Sequence, residues 1–446
     1  MNPGAFVRQY YKESFHQQLL AAMGRCLPHQ GLALRTKSQR LCWVPRMLVT
    51  CGVGMCWASG RTLKDRFGKA RDATVGMYPT RRRPGKSYAG FMATLVRRSG
   101  GLLGVVRPAL RKRVRQVAGS SWRVEGRVVF GVDGSRMDCP MTAANEAAFG
   151  CAGKNKTGPQ QLVTTLFHAG TGLIWDWRRG DGRGSERAHL REMLDGLPPG
   201  ATLLADAGYT GYGMLQQLQA RRIDFIIRVG SNVELLTDLG YAEPQGDGTV
   251  YLWPSREQKK GCKPLVLRLI VLRGEGNRNV YLLTNVLDKR QLSDARAGRL
   301  YRLRWGVELL YRALKQTLEH RKLLSDSPRH AEVELDWTMV GLWMLGLMSL
   351  EAMQRAGHPL HTWSVAGSLR VVRQAMDKGA KSHRQGGLRD SLAACVKDKY
   401  PRSSHKKARN VKNKKTEQPP GAPNVRMAEE SEVLLAQQLR ESKYAA

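Results

Sequence analysis

Tyr301, Arg304, Glu308 and Lys315 follow the spacing Y-x2-R-x3-E-x6-K, which gathers one phenol, one carboxylate and two cations. At about 100° per residue, their side chains fall within ~60° of arc on one helical stripe. A core-facing stripe would carry leucines, and Leu303, Leu310 and Leu314 point elsewhere. Two more acids stand upstream. Asp133 ends the run RVVFGVD and Asp206 ends ATLLAD, each followed within two residues by a glycine, Gly134 or Gly208. A glycine there lets a bulky substrate backbone come close. Hard oxygen donors suit Mg²⁺, and carboxylate-held divalent ions can activate a water or a 3′-hydroxyl and stabilise the leaving oxygen of a phosphodiester. If the two strands lie side by side and parallel, Asp133 and Asp206 converge at one sheet end, with Glu308 closing the set from its helix.

The elements that must place these groups are read from changes of period along the chain. Residues 1–120 are basic and helical in period, broken by a loop at YPTRRRPGK; with the patches Arg81–Arg83 and Arg111–Arg115, they predict a helical domain facing DNA. From about Arg123 strand-like runs take over: RVVFGVD, then LVTTLFH and GLIWDWR joined by a hairpin signal. A short helix over Ser185–Leu194, the strand ATLLAD, a helix after GYTGYG and the strand DFIIRVG complete an α/β unit over 121–230. Residues 231–290 give TVYLW, PLVLRLIVL and NVYLLTN without helices and predict a β-rich insertion. The α/β unit resumes over 291–376, with Ser293 as N-cap, a long amphipathic helix to about His320 and a buried helix over 331–354. Residues 377–446 predict a basic, largely disordered C-terminal region rich in Lys397, Lys399, Arg402, Lys406, Lys407, Arg409, Lys412, Lys414 and Lys415, closed by a helix from Met427 to Tyr444.

Charge narrows the partner. The 446 residues carry 73 Lys and Arg against 37 Asp and Glu, a net +36 that opposes compaction unless a polyanion screens it. Nucleic acid therefore stands ahead of small substrates. A membrane surface is disfavoured, because the charge is spread through every region rather than set beside one apolar anchor. The apolar run Met339–Leu350 is too short to span a bilayer and reads as core. The eight cysteines include no C-x2-C pair, which disfavours a zinc site and fits the reduced cytosol. No apolar signal segment opens the sequence.

The segments VDGS at Asp133, DAGY at Asp206 and YRLRWGVELLYRALK from Tyr301 to Lys315 resemble the three acidic motifs of DDE transposases from bacterial insertion sequences. The last is similar to the Y-R-E-K signature of the insertion sequence 4 family. The resemblance covers about Arg123 to His320 and implies a ribonuclease H-like catalytic core, with a β-rich insertion in the roughly hundred residues between Asp206 and Glu308. It implies that Asp133, Asp206 and Glu308 are catalytic and hold two Mg²⁺ ions, for which Mn²⁺ can substitute. It implies double-stranded DNA partners: terminal inverted repeats that are cut to a 3′-hydroxyl, in several relatives through a hairpin, and target DNA that this hydroxyl attacks. Tyr301, Arg304 and Lys315 would hold the terminal phosphates, Arg304 as a bidentate clamp and Lys315 as a point charge. Trp253 is the candidate to stack on a displaced base. A homodimer on DNA and a cytoplasmic, nucleoid-associated bacterial location are also implied.

Two other classes stay open: a structure-specific endonuclease that cuts without joining, and a transposase-derived protein that binds DNA without chemistry. Asp176, Asp181, Asp195 and Asp224 lack the strand, glycine and helix setting and read as structural or surface acids, and His168 and His189 read as satisfied core or surface residues.

Overall fold

A computed structural model describes residues 14–33, 42–152, 158–243, 248–274, 279–377, 387–397 and 421–441. The first strands are β1 (Val129–Asp138), β2 (Gln160–His168) and β3 (Leu173–Asp181), an antiparallel meander. β4 (Thr202–Ala205) pairs parallel to β1, and β5 (Asp224–Val229) parallel to β4. Beyond these come β6 (Glu234–Thr237), β7 (Thr249–Leu252), β8 (Leu265–Leu272), β9 (Val280–Thr284) and β10 (Asn424–Met427). Together they form one ten-stranded sheet in the order β10-β6-β7-β8-β9-β5-β4-β1-β2-β3. The central runs are apolar on both faces because both are covered; eight of the nine β2 residues are buried.

The helices are α1 (Phe15–Cys26), α2 (Pro45–Trp57), α3 (Leu63–Met77), α4 (Tyr88–Ala118), α5 (Ala143–Phe149), α6 (Glu186–Met193), α7 (Tyr212–Ala220), α8 (Ser255–Gln258), α9 (Asp294–Arg302), α10 (Gly306–Arg312), α11 (Pro328–Arg355), α12 (Val365–Met376), α13 (Leu388–Ala393) and α14 (Glu430–Glu441). Hydroxyl caps start several of them: Ser87 on α4, Ser185 on α6 and Ser293 on α9 each accept an amide from the first turn. α11 is apolar nearly all round because it is the axle of the helical layer, packed against α1, α2, α4 and β3. It is long and apolar enough to cross a membrane by composition, yet its whole apolar window lies inside the fold.

Three expectations change. The strands of 231–290 continue the core sheet through antiparallel pairing of β9 with β5, and that stretch also contains the short helix α8. The long helix expected from Ser293 to about His320 is segmented: α9, a 3₁₀ turn Leu303–Trp305, α10 and a π turn Ala313–Thr317. The chain end contributes β10, parallel to β6, before a helix that begins at Glu430 rather than Met427. The expected basic run from Lys399 to Lys415 lies outside the described residues.

Candidate active site

Across the parallel β1–β4 pair, Gly131 faces Leu204. Asp133 and Asp206, each two residues further on, therefore stand at the same level on neighbouring strands: Asp206 just past the end of β4, and Asp133 inside β1, which does not end there as its sequence suggests but runs on to Asp138 paired with β2. Asp133 is 20% exposed, and its Oδ1 accepts the Gly134 amide at 2.9 Å. Burial pushes its carboxyl up to about 6; the Gly134 amide and Arg304 pull it down, while the charges of Asp206 and Glu186 push it further up. Asp206 caps a one-turn 3₁₀ helix, Ala207–Tyr209, its Oδ1 accepting the Gly208 amide at 2.9 Å.

Arg304 joins this pair to the helical motif. From the 3₁₀ turn that ends α9, its Nη1 lies 3.4 Å from Asp133 Oδ2, and its guanidinium carbon sits 5.9 Å from the centre of the Tyr301 ring. Burial works against this cation, yet Tyr301, Asp133 and Asp206 hold it above the ordinary arginine range. Tyr301 is itself raised by burial, with Arg304 and Arg228 opposing and Asp206 adding to the rise. Glu308, in the first turn of α10, is raised by burial and steadied by Arg304 and Arg312. Arg304 is thus a cation that all three acids share as a neighbour.

Among the described residues no three His, Cys, Asp or Glu side chains gather closely enough to hold a metal ion. The donors present are nevertheless of the right kind. Asp133 and Asp206 supply hard oxygens in register, the donor type that a divalent cation takes. Glu308 connects to them through Arg304.

Two predicted members stand apart. Lys315 falls in the π turn, where the wider i→i+5 winding breaks the 100° period on which a four-residue stripe depends. Half-buried, it is lowered by desolvation and supported by Asp138, the last residue of β1 and further along that strand than Asp133, with Arg321 nearby. Trp253 is 3% exposed and donates its indole N–H to the Cys262 carbonyl at 2.7 Å, so the ring is a packing residue whose faces are covered. The exposed tryptophan is Trp305, at 52%, between Arg304 and Glu308.

Three residues escaped the sequence reading. Tyr311, one turn beyond Glu308, is buried with its hydroxyl 3.0 Å from the Asp133 carbonyl, 2.9 Å from the Val163 carbonyl and 3.1 Å from Thr165 Oγ1. It pins α10 to β1 and β2, and its position three residues after Glu308 was the available signal. Glu186 and Tyr209 meet at 2.9 Å behind Asp133, and nothing in their spacing announces the pairing. The rival acids are occupied elsewhere: Asp176 by Arg107, Arg111 and Arg178, Asp195 by Arg221, Asp224 by Arg127, and Asp181 by the Arg183 amide. Both rival histidines are hydrogen-bonded in the interior, His168 to Thr171 and the Trp122 carbonyl, His189 to Thr164.

Residues 125–344 match the family described as the transposase DDE domain. The chain is 27% identical over 251 residues to the transposase InsG of insertion sequence element IS4 from Escherichia coli, covering 53% of this chain and 55% of that one. It is 30% identical over 158 residues to the putative transposase y4zB of Sinorhizobium fredii, 33% of this chain and 43% of that one. The chain thus spans about half the length of the curated relatives it matches. A cryo-EM structure of the piggyBac transposase synaptic complex with hairpin DNA aligns with a TM-score of 0.42 at 11% identity, covering 88% of this chain and 85% of that one.

Proposed function

We propose that this chain, which belongs to the DDE transposases of the insertion sequence 4 family, binds terminal inverted repeats, cuts DNA there and transfers the cut strand to a target by a cut-and-paste route. The observation that carries the reading is the shared level of Asp133 and Asp206 on paired parallel strands, with Arg304 linking them to Glu308. The antiparallel meander β1–β2–β3, extended by parallel β4 and β5, supports a ribonuclease H-like core. The net +36 supports a duplex DNA partner.

Asp133, Asp206 and Glu308 would hold the divalent cation that the DDE domain implies, Mg²⁺ with Mn²⁺ as substitute; bound as a pair, such ions supply Lewis-acid stabilisation and an activated water or 3′-hydroxyl. The remaining work belongs to the chain. Arg304, whose planar fork suits phosphate oxygens bidentately, exchanges its contact with Asp133 for the terminal phosphate. Tyr301 steadies that guanidinium from the side. Lys315 takes a more distant phosphate along the duplex, in keeping with its place toward Asp138. A homodimer on DNA follows from the need to cut two ends together.

The test is incubation of the protein and Mg²⁺ with an end-labelled duplex carrying the element's terminal repeat. Strand-transfer products are expected from the wild type, and Asp133→Ala, Asp206→Ala and Glu308→Ala should each abolish cleavage while still shifting the duplex. Cleavage without joining would make the protein a nuclease. A shifted but intact duplex would make it a binder.

A further inference from the structure

Glu186 opens α6 and has no part in the acidic motifs. Ser185 accepts the Ala188 amide and so fixes where the helix begins. The Glu186 carboxyl group occupies the place a side chain at 134 would fill, since a Cβ built on Gly134 would stand 2.2 Å from its Cδ. Successive side chains of a strand alternate, so Glu186 lies on the sheet face opposite the Asp133 carboxylate. Its Oε2 accepts the hydroxyl of Tyr209 at 2.9 Å, and Tyr209 is 1% exposed. Only the tight turn Asp206–Tyr209 separates that tyrosine from Asp206, with the Tyr209 amide donating back to the Asp206 carbonyl at 3.2 Å. The next residue of α6 grips the same loop: Arg187 donates to the Thr210 carbonyl at 3.3 Å.

The geometry points to Glu186 as a positioning residue that, by contact with Gly134 and a hydrogen bond from Tyr209, fixes the spacing of Asp133 and Asp206. The brace runs from β1 through the first turn of α6 to the loop after β4, so the two acids are tied both by the sheet and from behind it. This rests on the reading of Asp133 and Asp206 as the cation-binding pair. The role needs an acceptor rather than a charge: the glutamine isostere keeps a carbonyl for Tyr209, whereas alanine and Tyr209→Phe break the same bond from its two ends.

Mn²⁺ binding to the DNA-free protein, read by electron paramagnetic resonance well below the melting temperature, tests the brace. Loss of a group that orients metal ligands weakens affinity about 10–100-fold, and that loss is expected for Glu186→Ala and for Tyr209→Phe. The double variant should lose no more than either single one, because both remove one interaction. Glu186→Gln should bind close to wild type. Wild-type affinity in Glu186→Ala, or additive losses in the double variant, would overturn the brace, as would failure of Glu186→Gln to rescue. Asp133→Ala, measured alongside, should lose the site. If it binds as wild type does, the assignment of the pair itself fails and the brace falls with it.

Discussion

At the scale of single residues, the site holds a charge that the fold would rather not carry. Asp133 has its carboxyl raised from 3.8 to about 6, chiefly by burial. An acid raised on folding favours the folded state below its unfolded value, and that contribution is lost as pH climbs through the folded one. The window is therefore about pH 4 to 6, and above it the ionised Asp133 costs on the order of 3 kcal/mol. We predict that Asp133→Asn, in metal-free buffer, melts higher than wild type at pH 7.5 and that the gap closes toward pH 4. A lower melting temperature at pH 7.5 would mean the Arg304 ion pair outweighs burial. Lys315→Ala should weaken duplex binding and flatten its salt dependence by about one phosphate contact, and an unchanged slope would make Lys315 a purely internal residue. The two aspartates could be read from the sequence because each follows a buried apolar run and has a glycine close behind, but only Asp206 ends its strand; Asp133 and Gly134 stay paired with β2, a partner that no local pattern marks. Glu186 could not, because a glutamate in the first turn of a helix has an ordinary explanation in the helix dipole.

Among elements, one ring is wedged between the strand bearing Asp133 and the helix bearing Glu308, which Tyr311 also ties together. A Cβ on Gly131 would stand 2.1 Å from the Phe167 ring, and one on Gly306 would stand 2.7 Å from it. Phe167 is fully buried between them. Gly306→Ala should push α10 off the sheet and destabilise the protein by about 1–3 kcal/mol in urea unfolding, with cleavage falling further than DNA binding. Equal losses in both would mean the helix moves without disturbing the acids. The helix itself was legible from Ser293 onward, since capping and amphipathic period are local. Its 3₁₀ and π turns were not. They arise where Arg304 must reach back to Asp133 and where the segment after Lys315 docks on the end of β1, through the Asp138 amide to the Arg321 carbonyl at 3.3 Å and the Leu323 amide to the Asp138 carbonyl at 2.8 Å. Those are tertiary demands that no single-helix period records.

For the whole molecule, net +36 makes binding a matter of counterion release, so affinity for any duplex should fall steeply with salt. Changing Lys406, Lys407, Lys412, Lys414 and Lys415 to glutamine should lower non-specific duplex affinity and reduce the slope by up to ~0.9 for each phosphate contact removed. Cleavage of an already bound end should be little affected; a large drop there would tie this stretch to the chemistry. The mixed α/β layer arrangement was readable from alternating periods, whereas the closure of the insertion strands onto β5 and the return of β10 to β6 were not, because pairing partners far apart in sequence leave no local mark.

The central claim is that Asp133, Asp206 and Glu308 serve one cation site. A crystal structure with Mn²⁺ and a pre-cut DNA end, phased to locate the anomalous scatterers, tests it most directly. The expected result is Mn²⁺ at about 2.0–2.2 Å from oxygens of Asp133 and Asp206, with Glu308 completing the ligands and Arg304 moved to the phosphate. Mn²⁺ bound away from these residues, or Glu308 more than about 10 Å from both aspartates with DNA in place, would contradict it.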